Sequence, residues 1–338
     1  LEILKRWGES AGIPFWTQPW AKATTTENGR AVCRRCDTCH VCPTGAKYTP
    51  DLTLHSLIDE GKVRLVTGTL VRRLNLKSNS DKVSYALGSS YEDPDEQIEF
   101  HAKIFVVAAG YAWSPHLLLL SANSRFPAGL ANRTGMVGTY MTGHPYVSAQ
   151  VDLPFESYPG MFSTNSLLSR MFARPGPLDH YLRHDLRIWT STAGRQPRPR
   201  NDSGSRLFGD EIMEDWQART KRSSARVRAY YDVIPDKNSL LSLDPHRTNR
   251  WGDPMPKIEF RDAPESLSIR ARTHDTLFRL FERMAAAGDG SVMSTQVSTK
   301  MEHPGGGCRM GEDPSTSVVD SYGRTHDHEN LFVIGAST

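Results

Sequence analysis

The sequence predicts an α/β fold with a parallel sheet, joined to a second domain of α+β type. Ile104-Phe-Val-Val-Ala-Ala109 is a continuous apolar run closed by Gly110, the pattern of a strand buried on both faces of a parallel sheet. Leu331-Phe-Val-Ile334-Gly335 repeats that pattern at the far end of the chain. Between residues 150 and 300, candidate strands alternate with Pro- and Arg-rich loops and one long amphipathic helix, as an α+β domain requires.

The elements follow in order. Residues 1–11 read as part of a helix and 54–60 as a short one. Residues 63–67 and 71–76 read as strands around a Gly68 turn, and 83–87 and 98–101 continue the alternation into a small antiparallel ribbon. After the buried strand, Ser114 suits an N-cap and Pro115 the first position of a helix whose residues 117–120 pack inward. Residues 227–234, 240–243 and 257–260 read as strands. Residues 265–287 form the long helix, with Leu267, Ala271, Phe278, Phe281 and Ala285 on its inner face and Gly288 as its stop.

Composition sets the outer limits. A chain of 338 residues fits about two domains, and 38% hydrophobic residues with 12 Phe, 11 Tyr and 7 Trp exclude a wholly disordered one. Lys plus Arg is 41 against 38 for Asp plus Glu, a net charge of +3, which gives no electrostatic reason to expect nucleic acid or an acidic membrane as partner. The densest basic stretch, Arg195-Gln-Pro-Arg198-Pro-Arg200, reads as a solvated loop. No apolar run approaches the roughly 20 residues of a membrane span. The chain opens on Leu1 inside a helical pattern and closes on Gly335-Ala336-Ser337-Thr338 just after an apolar strand, so it reads as an internal piece of a longer protein, with any signal peptide upstream.

Four of the five cysteines fall in one run, Cys33-Arg-Arg-Cys36-Asp-Thr-Cys39-His-Val-Cys42-Pro43. Disulfides at this spacing would close only very small loops. Structural zinc usually needs a second Cys pair a dozen or more residues away, and none is present. Closely spaced thiolates with a terminal Cys-Pro suit an iron–sulfur cluster best, held by three or by all four of Cys33, Cys36, Cys39 and Cys42, with zinc the remaining reading. His40 is a neighbour rather than a ligand, and Cys308 a small packed residue. The catalytic candidate is His303, which heads the loop Pro304-Gly-Gly-Gly-Cys308-Arg309-Met310-Gly311. Imidazole is the natural proton acceptor near neutral pH, and three glycines let a backbone approach a ligand closely; a surface histidine before a turn is the plain alternative.

The whole chain resembles the glucose–methanol–choline oxidoreductases, which oxidise alcohols with FAD. The resemblance rests on Val106-Val-Ala-Ala-Gly110 with Ser114-Pro115 and residues 117–121, on Val137-Gly138 with Met141 and His144-Pro145, on the His303–Gly311 loop, and on Val318-Val319-Asp320, Gly323-Arg324 and Asn330-Leu331-Phe332-Val333. The cysteine run followed by Pro43-Thr44-Gly45-Ala46-Lys47-Tyr48 resembles the insert of bacterial FAD-dependent sugar dehydrogenases, with gluconate dehydrogenases close by.

The resemblance implies an FAD-binding doubly wound parallel sheet, incomplete in this chain, with a discontinuous α+β substrate-binding domain built on an antiparallel sheet. It divides the chain into an FAD-binding part over 1–150 with a cluster segment at 30–48, a substrate-binding domain over 151–300, and a return to the FAD-binding domain over 301–338. It implies His303 as catalytic base, FAD contacts at Val71, Gly110, Ser114, Gly335 and Ala336, a structural role for His144, and electrons leaving through the cluster to an external acceptor. The substrate would be a sugar or alcohol, and the partners a cytochrome c subunit and a small chaperone-like subunit, in the periplasm or at a membrane. The sequence departs from the pattern in lacking the G-x-G-x-x-G fingerprint and a second active-site residue after the last strand, and in Gly143 standing where the family has Asp. The rivals are an alcohol or sterol oxidase whose cysteines bind no iron, and a ferredoxin-like electron carrier.

Overall fold

The computed structural model describes residues 2–26, 29–34, 36, 39, 41–153, 166–174, 182–190, 197–220 and 223–338. Along the chain the elements are α1 (Glu2–Ser10), β1 (Trp16–Thr17), α2 (Pro50–Asp59), β2 (Thr69–Leu76), β3 (Val83–Ser90), β4 (Gln97–His101), β5 (Phe105–Val107), α3 (Gly110–Leu120), β6 (Thr142–Leu153), β7 (Leu167–Ser169), β8 (His184–Thr190), α4 (Asp210–Thr220), β9 (Ser223–Tyr231), β10 (Leu240–Thr248), β11 (Pro254–Glu259), α5 (Pro264–Ala287), β12 (Ser291–Gly305) and β13 (Leu331–Val333). They form two compact units, one of Leu1–Arg64, Pro145–Asp232 and Ser268–Thr299, the other of Leu65–His144, Val233–Leu267 and Lys300–Thr338. Two of its cuts fall at 144/145 and 299/300, and the others at 64/65, 232/233 and 267/268. No helix among the described residues is long and apolar enough to cross a membrane.

The first unit is organised by a six-stranded sheet in the order β1-β7-β8-β9-β6-β12. Strict alternation gives it one apolar face, and Val147, Val151, Leu186, Ile188, Val227 and Tyr231 on that face are wholly buried. Helix α5 buries Ile269, Thr273, Leu277, Leu280, Phe281, Met284 and Ala285, whereas Leu267 and Ala271 of the expected stripe are exposed and Phe278 is half-buried. The line of burial passes through Thr273, which an apolar count rejects. Its Oγ1 donates to the Ile269 carbonyl at 2.8 Å and accepts the Leu182 N–H at 3.0 Å, so the hydroxyl is buried with its bonds made.

The second unit holds a three-stranded antiparallel sheet β2-β3-β4, the hairpin β10-β11, and β5 paired in parallel with β13, Phe105 opposite Leu331 and Val107 opposite Val333. The two apolar runs therefore do share one parallel sheet, but they are not buried on both faces: Ile104, Val106 and Ile334 are exposed. Residues 63–67 form no strand, and β2 begins at Thr69. Helix α3 begins at Gly110 rather than at Ser114, because Ser114 works from inside the first turns: its Oγ accepts the N–H of Ala109, the residue ahead of the helix, at 3.1 Å. Pro115 accordingly sits within the helix, where its ring costs one backbone bond.

His328 and Asn330 tie this unit's strands together. The Asn330 side chain donates to the Val83 carbonyl and accepts the Val83 N–H, both at 2.9 Å. His328 is fully buried; its Nε2 accepts the Ala131 N–H at 3.0 Å, so Nδ1 carries the proton and donates to the Asp81 carbonyl at 2.6 Å. Burial pushes its pKa down to about 4. The folded state thus prefers the neutral ring, and that stability is complete above the unfolded value of about 6.5 and is lost as pH falls toward 4, on the order of 3 kcal/mol in all. Thermal melting followed from neutral to acidic pH should show the midpoint dropping below about pH 6.5, with a smaller drop in His328→Asn.

Candidate functional site

His303 lies near the end of β12, and His144 near the start of β6, its neighbour in the sheet. The two rings meet edge to face with centroids 6.0 Å apart. His303 holds φ at +49°, a left-handed conformation that a non-glycine residue adopts only at a cost, and such strain gathers at functional sites. Gly143, beside His144, is where the two strands come closest: a Cβ there would stand 2.6 Å from that of Met301. An aspartate would not fit without moving β12, which accounts for the glycine at this position.

The loop after His303 is fixed by backbone bonds. Gly306 N–H donates to the Ala336 carbonyl at 2.9 Å, Cys308 N–H to Ser337 at 2.8 Å and Gly307 N–H to Thr139 at 3.1 Å, while Gly307 accepts from Gly138 at 2.7 Å. A side chain at Gly306 would run into the Tyr140 carbonyl, and its φ of +85° favours glycine as well. Cys308 is wholly buried in the core, as a small packed residue should be, and burial raises its thiol pKa far above the ordinary value.

The loop meets the strand ends. Ile334 N–H donates to the Val107 carbonyl at 3.0 Å and extends the β5–β13 pairing, so Gly110, Gly335 and Ala336 gather at the carboxyl ends of two parallel strands, where ligands of such sheets bind. Open space surrounds the Cα of Gly110 and of Gly335 where a side chain would stand. Ser114 is fully buried under this turn.

Val71 lines a different part of the same unit, a cavity of about 560 Å³. A β-bulge between Val71 and Arg73 turns Arg72 out of register. Its guanidinium grips Asp253 through two bonds of 2.7 Å and donates to the Trp251 carbonyl at 2.8 Å. Burial alone would raise the Asp253 carboxyl, but the Arg72 and Asn249 bonds outweigh it and hold it below the ordinary value. Tyr91, Trp113, His116 and Trp251 complete the wall, with Tyr91 edge-on to Trp251 at 4.9 Å. Burial lowers the His116 pKa, and its Nε2 bonds to the Pro254 carbonyl at 2.7 Å. Sequence reasoning found only Val71 here. The other residues lie far apart in the chain, and no local spacing marks them.

The cysteine segment is pinned at its flanks: Ala23 N–H donates to Ala46, Cys33 N–H to Ala23 and Tyr48 N–H to Ala21. Cys42 Sγ accepts the Lys47 N–H at 3.4 Å, which is the main reason its pKa falls to about 7. Cys39 is buried, Cys36 exposed, and Cys33 and Cys42 are half-buried, all unbridged. Among the described residues, no three His, Cys, Asp or Glu side chains come together as a metal-holding group. His40 lies outside the described residues.

A family model described as GMC oxidoreductase matches residues 235–338. The chain is 29% identical over 326 residues to the fructose dehydrogenase large subunit of Gluconobacter japonicus, covering 95% of this chain and 57% of that one. It is 30% identical over 350 residues to paromamine 6'-oxidase of Streptomyces fradiae, covering 98% and 59%. The chain thus spans less than two thirds of the length of these curated relatives. Among solved structures its fold is similar to that of pyridoxine 4-oxidase from Mesorbium loti, with a TM-score of 0.61 at 17% identity, over 99% of this chain and 64% of that one. It is also similar to an FAD-dependent oxidoreductase from Chaetomium thermophilum, with a TM-score of 0.62 at 13% identity, over 99% and 67%. Identities this low carry the fold alone.

The glycine loop can be tested directly. Gly306→Ala should lower stability by roughly 1–3 kcal/mol in chemical denaturation, from left-handed strain and the crowded Tyr140 carbonyl. A variant as stable as the wild type would mean the loop is not held as described.

Proposed function

Since the chain belongs to the glucose–methanol–choline oxidoreductases, we propose that the protein oxidises the CH–OH group of a sugar or other alcohol with FAD as its redox group. The observation that carries this reading is the junction of the His303 loop with the end of β13, through the Gly306–Ala336 and Cys308–Ser337 backbone bonds. It sets a strained histidine beside the carboxyl ends of two parallel strands.

The residues present fit a dinucleotide. Gly110 and Gly335 leave open space at the strand ends, and the cavity at Val71 offers aromatic walls lined also by the charged Arg72–Asp253 pair. Val71, Gly110, Gly335 and Ala336 are the residues that would hold FAD, with Ser114 fixing the turn beneath them. When bound, FAD supplies the acceptor for a hydride from the substrate carbon. The chain supplies the base: an imidazole nitrogen of His303 takes the hydroxyl proton as the C–H bond breaks, leaving a carbonyl product. His144, edge-on to His303, fixes the plane of that ring.

An iron–sulfur cluster on Cys33, Cys36, Cys39 and Cys42 is supported by their spacing alone, and a cytochrome c acceptor and a small chaperone-like subunit by the resemblance. No step is routed through a cluster. The alternative is an oxidase of the same family without one.

His303→Ala in the flavin-loaded protein should slow flavin reduction by roughly 10²–10⁴-fold at similar FAD content. Reduction at the wild-type rate would sink the assignment. Elemental analysis after anaerobic purification should find iron that is lost in Cys36→Ser or Cys39→Ser; one zinc and no iron would end the cluster proposal.

A further inference from the structure

The far end of β2 and the turn that follows α3 line a cavity of about 310 Å³, wholly within the second unit. Arg73, Asn75, Lys77, Ser124 and Arg125 stand in its wall, and no carboxylate does. Arg125 is already engaged, with Asp81 and with the Ser80 carbonyl at 2.6 Å. Arg73 and Lys77 are not: among the described residues neither side chain makes an ion pair or a hydrogen bond. Arg73 acts on Asp253 only through its field, because Arg72 and Asn249 hold that carboxylate. The Nδ2 of Asn75 is buried with no hydrogen-bond partner, which a buried amide ordinarily has.

The walls are fixed in place. Ser121 Oγ accepts the Leu74 N–H at 2.9 Å and donates to the Leu117 carbonyl at 2.6 Å, tying β2 to the end of α3. Asn123 Oδ1 accepts the N–H groups of Arg125 and Phe126 at 2.9 and 3.0 Å. The carbonyls of Leu117, Leu118 and Leu119, whose partial negative charge would disfavour an anion, are taken by the N–H groups of Ser121 and Ala122. Two uncommitted cations and an unsatisfied donor around a cavity without a carboxylate suit an anion with several acceptor oxygens. A phosphate monoester carries roughly −1.5 to −2 charges at pH 7 and three such oxygens. We propose that this cavity binds the phosphate of a small phosphate monoester, with Arg73 and Lys77 as counter-charges and Asn75 as a neutral donor. The site stands apart from the residues that would hold FAD. Val71 and Gly110 lie near the starts of β2 and α3, and this cavity lies at the ends of both, about 16 Å away along the 11-residue helix.

Glycerol 3-phosphate and glycerol make a matched pair of probes. Calorimetry on the flavin-loaded protein, in phosphate-free buffer, should show saturable binding of glycerol 3-phosphate, weakened by added salt, and glycerol bound at least about tenfold more weakly. The double variant Arg73→Gln with Lys77→Gln should lose roughly tenfold or more in that affinity, at unchanged FAD content and melting temperature. Inorganic phosphate and vesicles containing phosphatidic acid separate the sources of the group. Inorganic phosphate bound as tightly as the ester would identify the free anion, and capture by vesicles without binding of the soluble probes would identify a lipid headgroup; either upholds the site if the double variant loses it. No saturable binding of any of the three phosphate probes, or binding unchanged in the double variant, would overturn the proposal. Flavin reduction is no part of the readout, so either outcome leaves the oxidoreductase reading untouched.

Discussion

The closure of the glycine loop on the end of the chain is the constraint on which the candidate site depends. Gly306 and Cys308 give their N–H groups to Ala336 and Ser337, and Gly307 exchanges bonds with Thr139 and Gly138. Three segments far apart in sequence thereby share one backbone hydrogen-bond network. Such bonds need the main chains within about 3 Å, which leaves no room for side chains at the crossing. The glycines there are a consequence of that distance, and the left-handed φ of His303 is where the loop leaves the strand.

The same economy governs the cavity at Val71. The bulge in β2 spends one residue out of register, and that residue, Arg72, reaches a nearly buried Asp253 on the β10–β11 side. Breaking a pair so buried would leave an uncompensated charge, worth about 3–5 kcal/mol. The pair therefore braces the cavity and places a fixed charge at its rim. On the large sheet the arrangement is the reverse. One face is sealed by aliphatic residues, and the other carries Arg187 over Tyr230 and Arg228 over Tyr146.

Part of the fold is legible in the sequence. The runs 104–110 and 331–335 declared themselves by being apolar at every position, and they do pair in parallel, but only one face is covered: Phe105, Val107, Leu331 and Val333 are buried while Ile104, Val106 and Ile334 are exposed. Helix α5 was found at nearly its full length, since period and length are local properties. Its inward face was half misjudged, because Thr273 is buried through bonds to Ile269 and Leu182 that no hydrophobic count anticipates. The start of α3 was misplaced for a similar reason: Ser114 serves the helix start from a position inside it.

What the sequence determined by itself was β2 to β5, β9 to β11 and β13, but not β1, β6, β7, β8 or β12 of the large sheet, together with the family motifs and the histidine at the head of a glycine loop, all marked by short-range patterns of polarity and conformation. Tertiary structure alone decided that His144 meets His303, that Arg72, Trp113, Trp251 and Asp253 wall one cavity with Val71, and that Arg187 faces Arg228 across β8 and β9. Each of these depends on sheet register or on chain crossings between residues distant in sequence, and register is set by the packing of whole faces, where a slip of one residue would turn every side chain to the other side.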